Sequence, residues 1–493
     1  MLFALVLAEA LALFQIWKLN MLPGKYFLVV AAVMLLLIVL IGAMLLVKSG
    51  KYERRRGLGR QIAGYLLSAV IIAGCTIGFA AVAKLNDTMS SITGNQSVST
   101  LMDVYVLADN PAQSISDAGG YIFGLSETTG AEDNQAVVDE IRTQLGSDIE
   151  THSFETAFAM IDALYAGQVD AVILDSAYVG VLEEVEGYTD FAGRTRLLFE
   201  HIIEKKVAGP EQFENEQSEV VQPVKDVTNT PFLLYISGND ARKALIANGG
   251  SDVNILVAVN PTDKQVLLVN TPRDYYVGNP AGNGAKDKLS HCGLAGIENS
   301  VTAMSDLYGQ DINYYAKINF SGFKTLVDAI GGVTVYSDVA FSAGGHQIVQ
   351  GENHLNGTQA LAFARERKAL SGGDNDRGKN QMKLIAAMIN QLSAGNLLAN
   401  YGQILDSLEG MFAISMSADE LASLVRMQLA DMSSWDILSF AVTGDNGNDT
   451  CYAVGGGYGY VMYPHENVVA HASGLIGRVL SGEVLTQEDL TVS

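Results

Sequence analysis

The sequence predicts an α/β protein in three parts: three N-terminal transmembrane helices, a small α/β accessory domain, and a larger C-terminal α/β domain whose central sheet is flanked by helices. Three observations carry this expectation. Three apolar runs, each close to the roughly 20 residues that cross a bilayer, fill residues 1–85. Strand-like runs then alternate with amphipathic helical ones, the pattern of strands covered by helices. A polar, acidic stretch with two prolines, Gly209–Thr230, separates that region from a second α/β texture beginning at Pro231. The boundaries are a membrane anchor over 1–85, a tether over 86–100, an accessory domain over 101–208, a linker over 209–230 and the C-terminal domain over 231–493.

A chain of 493 residues is long enough for two or three hydrophobic cores. Residues 1–90 hold nine Lys/Arg against three Asp/Glu, which leaves 22 against 51 in the remainder. A region that acidic excludes a nucleic-acid partner, because such binding is built on cationic phosphate contacts. The first apolar run, "MLFALVLAEALALFQIW", is longer than a signal-peptide core, lacks a basic start and leads into another span, so it reads as a membrane helix. Glu9 within it is expected near a helix end, reaching the interface. The loop between the second and third spans carries Lys48, Lys51, Arg54, Arg55, Arg56 and Arg60. The positive-inside rule puts it in the cytoplasm, with the N-terminus. The reading is a multi-pass cell-membrane protein whose large C-terminal part is extracellular. Cys75 lies in the third span. Cys292 and Cys451 would face an oxidising exterior, where a disulfide persists, and are expected to pair.

In the accessory region, "MDVYVLADN" and "GYIFGL" read as strands, "NQAVVDEIRTQLG" and "FETAFAMIDALYAG" as helices, and "QVDAVILDSAYVGVLEEV" as a strand running into a helix. That alternation implies a largely parallel sheet. The phrases "LADNPAQSISDAGGYIFGL" and "DALYAGQVDAVILDSAYVGVLEE" resemble one lobe of a periplasmic solute-binding protein, which implies an accessory scaffold or sensor. Beyond the linker, "FLLYIS", "VNILVAVN" and "QVLLVNTPRD" are strands, the last two joined by the turn "PTDK". Six helical segments follow, from "GIENSVTAMSDLYG" to "NVVAHASGLIGRVLSG". "GGGYGY" lacks the lysine of a P-loop and reads as a loop. His291 beside Cys292, with no HExxH or CxxC, does not make a zinc site.

Charged residues gather at the ends of these elements: Asp240 and Arg242, Asp252, Arg273 with Asp274, and the stretch "ARERKALSGGDNDRGKNQ". In that stretch Asp374, Arg377 and Gln381 are spaced three and four apart, one face of a helix. Arg365 and Arg367 project together only where the chain leaves helical geometry. Guanidinium forks suit phosphate oxygens. Carboxylates would repel phosphate unless a hard divalent ion lies between them, and Mg²⁺ takes one or two carboxylates plus substrate phosphates. Any one of these residues reads equally well as half of a surface ion pair; the four segments jointly favour a site for metal-bound pyrophosphate.

The blocks "SDVNILVAVNPTDKQVLLVNTPRDYYV", "KLSHCGLAGIENSVTAMSDLYGQDINYYAKINFSGFKTLVDAIGGVTVYSDVAF" and "LNGTQALAFARERKALSGGDNDRGKNQ" resemble the LytR–CpsA–Psr family. The resemblance implies a membrane-anchored phosphotransferase. Such an enzyme attaches a polyprenyl-pyrophosphate-linked glycopolymer (a teichoic acid, capsule or related wall polymer) to a peptidoglycan sugar hydroxyl and releases polyprenyl phosphate. It implies phosphate contacts from Arg273, Arg365, Arg367 and Gln381, metal-associated Asp240 and Asp252 holding Mg²⁺ or its substitute Mn²⁺, and the motif pair Asp374 and Arg377. Arg242 and Lys288 match basic positions near the pocket. Arg273, Arg365, Arg367 and Asp374 are the candidate catalytic residues, with Asp374 or Asp240 as proton acceptor. Tyr275 departs from the family's common threonine and is expected in the pocket wall. "INFSGFKTLVDAI" and "MKLIAAMINQL" offer apolar faces for a lipid tunnel, or ordinary core. Partners are the lipid-linked glycopolymer, peptidoglycan and the membrane lipid. The rival readings are a membrane-anchored sensor and a polyprenyl-pyrophosphate hydrolase.

Overall fold

Helices α1 (Leu2–Leu19), α2 (Gly24–Leu46) and α3 (Arg54–Thr93) open the computed structural model. It describes residues 1–46, 54–93, 96–127, 130–207, 220–239, 248–393, 403–404 and 411–492. All three helices are long and apolar enough to cross a membrane. Glu9 does not reach an interface: it is 1% exposed within the helical cluster, and neither carboxylate oxygen has a hydrogen-bond partner among the described residues. The expected tether is not a loop either. Helix α3 runs through its first half, where the Thr88 and Thr93 hydroxyls donate to carbonyls four residues back, and strand pairing begins at Gln96.

The accessory domain comprises β1 (Gln96–Leu107), β2 (Ile122–Ser126), α4 (Ala131–Leu145), β3 (Glu150–Phe154), α5 (Ala157–Tyr165), β4 (Ala171–Asp175), α6 (Ala177–Glu183) and β5 (Thr195–Val207). The sheet order is β3-β2-β4-β1-β5. Strand β2 is parallel to β3 and β4, but β1 is antiparallel to β4 and β5. The sheet is therefore mixed, not largely parallel. The reason is β1, which runs against β4, and β5, an edge strand whose interspersed charges (Arg196, Glu200, Lys205, Lys206) hide its strand character in the sequence.

The C-terminal domain is built on β6 (Phe232–Asn239), β7 (Val253–Asn260), β8 (Gln265–Asn270), β9 (Tyr276–Asn279), β10 (Ala285–Lys288), α7 (Ile297–Tyr308), β11 (Tyr314–Asn319), α8 (Phe320–Ala329), the short strands β12 (Val333–Ser337), β13 (Phe341–Ala343), β14 (His346–Ile348) and β15 (Gly351–Leu355), then α9 (Gly357–Arg365), α10 (Asp374–Gln391), β16 (Phe412–Ile414), α11 (Ala418–Asp431), β17 (Asp436–Ala441), β18 (Gly444–Thr450), β19 (Tyr458–Pro464) and α12 (Glu466–Leu480). Its main sheet runs β16-β11-β6-β7-β8-β17. The β7–β8 hairpin turns through "PTDK", with Lys264 at φ 54°. Strand side chains alternate between faces. Ile255, Val257 and Leu268 pack beneath α8, α9, α10 and α11, while Leu256, Leu267 and Val269 pack beneath α7 and α12. Both faces are covered, which is why β7 and β8 read as near-continuous apolar runs.

Shared apolar packing joins the parts of the chain. Met21 and Met89, at the ends of the membrane helices, belong to the first apolar core, and α3 packs on β16 and α11. The last part of the expected linker is docked as well: Val221 and Val227 are buried, and the Val224 N–H donates to the Tyr314 hydroxyl at 3.1 Å. The accessory domain meets the C-terminal domain in a common cluster, where Phe158, Tyr178 and Leu182 lie against Leu294, Val454 and Val461.

Candidate active site

The ends of β6, β7 and β8 and the start of α10 converge on one hollow. Asp252 precedes β7, its N–H bonded to Gly238 O at 2.8 Å. Arg273 follows β8. Helix α9 ends at Arg365, and Glu366 is extended (φ −67°, ψ 128°), so Arg365 and Arg367 leave the helix together. Gly373, at φ 55°, turns the chain into α10. At Gly378 a Cβ would lie 2.1 Å from the Asn270 side chain, so only glycine lets α10 lie this close to the end of β8. That approach sets Arg377 and Gln381 over the sheet.

The hollow is a cavity of about 450 Å³. Asp252, Arg273, Arg365, Arg367, Arg377 and Gln381 line its polar end. Ile236, Ala316, Phe323, Leu384, Met388 and Phe412 line its apolar depth. Both apolar segments singled out in the sequence contribute, Phe323 from α8 and Leu384 and Met388 from α10. The apolar part merges with the core that includes Met21 and Met89, and Phe412 lies on the strand that packs on α3. The apolar lining of the cavity thus belongs to the same packed core as the ends of the membrane helices.

The electrostatics explain why these cations stay together. Arg273 is ringed by carboxylates: Asp252 Oδ1 at 2.8 Å, Glu184 Oε1 at 3.1 Å and Asp274 Oδ2 at 3.7 Å. Lys288 Nζ lies 2.5 Å from Glu184 Oε2 and 3.7 Å from Asp274 Oδ1. Arg377 pairs with Asp374 at 2.5 Å, and Gln381 Nε2 donates to Ala364 O at 3.2 Å. The Arg365 guanidinium sits 4.7 Å above the Phe320 ring. Burial draws Arg377 below the usual guanidinium range; Asp374 opposes this, and neighbouring Arg273 and Arg367 reinforce it. Burial pushes the Asp274 carboxyl up, against Arg273 and Lys288 and with Asp374 and Glu184. Guanidiniums crowded enough to repel one another attract an anion of high charge.

Of the residues expected from the sequence, Asp252, Arg273, Arg365, Arg367, Arg377 and Gln381 share the cavity, and Asp374 joins them through Arg377. Lys288 is linked to Arg273 through Glu184. Asp240 and Arg242 lie outside the described residues. Tyr275 is not a pocket wall: it is fully buried in the opposite core and donates to Thr443 O at 2.7 Å. Cys292 and Cys451 are separate thiols. Cys292 packs under the main sheet and Cys451 in the interdomain cluster, each as a buried thiol. "GGGYGY" is a loop only in its first half; Tyr458 begins β19.

The carboxylates around Arg273 are hard oxygen donors, the type Mg²⁺ takes. A second set, Asp287, His291 and Cys451, has ligand atoms within 4.8 Å of one another. It does not suit that ion. The Asp287 oxygens accept from Lys288 N, His291, Asn279 and Ala453 N, and burial pushes the Cys451 thiol up to about 12.

Sequence reasoning missed Glu184, which comes from the accessory domain just after α6 and bridges Arg273 and Lys288. Burial alone would raise its carboxyl, but Lys288 and Arg273 outweigh burial and lower it from 4.5. The ionic contact is therefore complete above the ordinary carboxylate value and is lost as pH falls through the lowered one. Glu184→Gln is expected to raise affinity for inorganic pyrophosphate by roughly threefold to tenfold, because it frees two cations. Calorimetric titration checks this; unchanged or weaker binding contradicts it.

Residues 200–467 match the LytR_cpsA_psr family. The chain is 33% identical over 208 residues to the polyisoprenyl-teichoic acid–peptidoglycan teichoic acid transferase TagU of Bacillus mycoides, across 42% of this chain and 67% of that protein. It is 34% identical to the protein of the same name from Enterococcus faecalis, across 43% of this chain and 68% of that one. A crystal structure of B. subtilis TagV aligns at TM-score 0.43 and 23% identity, covering 52% of this chain and 99% of that one. With more than half its length matched, from the end of the accessory domain to the start of α12, the chain belongs to the LytR_cpsA_psr family.

Proposed function

We propose that this protein transfers a glycopolymer from a polyprenyl-pyrophosphate carrier to a sugar hydroxyl of peptidoglycan. The observation that carries the reading is the shape of the cavity: guanidiniums at its polar end, an apolar depth, and a joint to the membrane helices. A diphosphate ester with a long hydrocarbon tail matches that combination. The TagU relatives are teichoic acid transferases acting on peptidoglycan, which supports the same reaction class.

Arg273, Arg365, Arg367 and Arg377 hold the diphosphate oxygens, with Gln381 as a further donor; Lys288 adds positive potential nearby. The acceptor oxygen bonds to the sugar-side phosphorus while the bond from that phosphorus to the bridging oxygen breaks. Polyprenyl phosphate leaves with the electron pair. Asp374 accepts the hydroxyl proton. In such transfers the protein contributes mainly positioning and charge stabilisation. Asp252 and Asp240 would hold Mg²⁺ or Mn²⁺, which when bound neutralises charge on the phosphate oxygens. Arg54, Arg55, Arg56 and Arg60 at the start of α3 support a cytoplasmic N-terminus and an extracellular reaction site next to the lipid donor. Anchoring in the same membrane raises the donor's local concentration.

The test is a product assay with full-length protein, a lipid-linked donor labelled in the sugar-side phosphate, and peptidoglycan. Label covalently attached to peptidoglycan is expected. Label released as free sugar phosphate would make the protein a hydrolase. Label left entirely on the donor would make the protein a non-catalytic sensor, and retained attachment in the Arg365→Ala/Arg367→Ala double variant would remove those arginines from the mechanism.

A further inference from the structure

The hairpin β18–β19 carries an uncommon surface. Among the described residues beyond the membrane helices, the strongly exposed aromatic side chains are Tyr336, Tyr452, Tyr458, Tyr460 and Tyr463. Four of these five lie on or beside this one hairpin. Cross-strand pairs share a face, and the register pairs Asn448 with Tyr460 and Thr450 with Tyr458. Tyr458 and Tyr460, 72% and 42% exposed, therefore stand with the exposed Asn446 and Asn448 on one face. The Tyr460 hydroxyl donates to Asn446 Oδ1 at 2.8 Å.

The hairpin is tied to the segment that carries the reaction site. The Met462 N–H, two residues after Tyr460, donates to Asp274 O at 2.7 Å. Tyr275 and Met462 form a bridge. Gly459, between the two tyrosines, turns the opposite face of β19 toward Lys288, where a Cβ would meet Cε at 3.7 Å. Burial, then Asp274 and Asp374, push the Tyr460 phenol up, so both carboxylates are felt at its ring.

We propose that the Tyr458–Tyr460 face of this hairpin is the subsite for the acceptor glycan strand, with the tyrosine rings stacked on sugar C–H faces and Asn446 and Asn448 bonded to sugar hydroxyls and amides. This rests on the proposed transfer reaction. Aromatic rings supply apolar contact with little entropy to lose, and amides adapt to hydroxyl patterns. Charge selects the acceptor over the donor polymer. Strands β18 and β19 contain Asp445 and Asp449 and no Lys or Arg, so a polyanionic donor chain would be repelled, whereas an uncharged sugar backbone would not. A glycan lying on Tyr460 presents its hydroxyl beside Asp374, the proposed proton acceptor.

The experiment has two arms on the full chain. In the first, chitotetraose, a neutral amino-sugar oligomer, is titrated against wild type, Tyr458→Ala and Tyr458→Ala/Tyr460→Ala. Binding should weaken about tenfold per ring removed, while farnesyl diphosphate binding stays within about twofold. In the second, the acceptor KM of the transfer should rise by similar factors, with donor KM and kcat nearly unchanged. Tyr458 is mostly solvent-exposed, so its removal leaves the fold intact. Unchanged chitotetraose binding and unchanged acceptor KM overturn the proposal; a rise in donor KM instead overturns the choice of acceptor. If the wild type forms no phosphorus-linked peptidoglycan, the reaction reading fails, and the chitotetraose arm alone decides the subsite: wild-type binding lost with the rings upholds it, and no binding overturns it.

Discussion

Arg273→Ala should reduce transfer by about 10²–10³-fold, the usual cost of losing one preorganised donor to developing charge. Arg273 is the hub of the cluster, since Asp252, Asp274 and Glu184 all lie against it. Its removal also leaves three carboxylates facing one another, so diphosphate affinity should fall together with rate. Arg273→Lys separates the two effects. It keeps the charge but not the planar fork, and should recover folding stability while restoring only a small part of the transfer. Thermal unfolding measured beside transfer kinetics checks both variants. Near-normal transfer in Arg273→Ala would remove the residue from the mechanism.

Ala316→Trp should produce the second large effect. Ala316 lies on β11, is 4% exposed and faces the apolar depth of the 450 Å³ cavity. An indole there fills space that a hydrocarbon tail would use. Each buried methylene contributes about 0.8 kcal/mol, so displacing about four should weaken a long-chain donor by roughly 10²-fold. Inorganic pyrophosphate, which has no tail, should bind as in wild type. Titration of both probes distinguishes a lipid cavity from ordinary core. Equal loss for both would point to a distorted site.

The parts legible in the sequence are those written in local patterns. The strands around "VNILVAVN" and "QVLLVN" are apolar because both sheet faces are covered, and their turn is punctuated by proline and aspartate. The spacing of Asp374, Arg377 and Gln381 places them on one helix face, and Gly373 starts that helix. What escaped has no local signature. Glu184 reaches Arg273 from 89 positions away across a domain boundary, and an isolated "LEEVEG" reads as a solvated helix end. Strand β5 shows no regular alternation, its charges falling between short apolar runs, and it gains its partner only through the long pairing with β1. Cys292 and Cys451 suggested a disulfide by compartment, a rule that says nothing of side-chain geometry, and both are free thiols. Tyr275 stands next to the site in sequence, yet the turn after β8 and its bridge to Met462 seat it in the opposite core.

The central claim is that one hollow grips a diphosphate and shelters its hydrocarbon tail. A crystal structure of the full-length protein with farnesyl diphosphate and Mg²⁺ tests it most directly. The account predicts phosphate oxygens within hydrogen-bond distance of Arg273, Arg365, Arg367 and Arg377, with the chain extending past Ala316 toward Met388 and Phe412. A diphosphate bound elsewhere, or a tail directed to solvent, would contradict it.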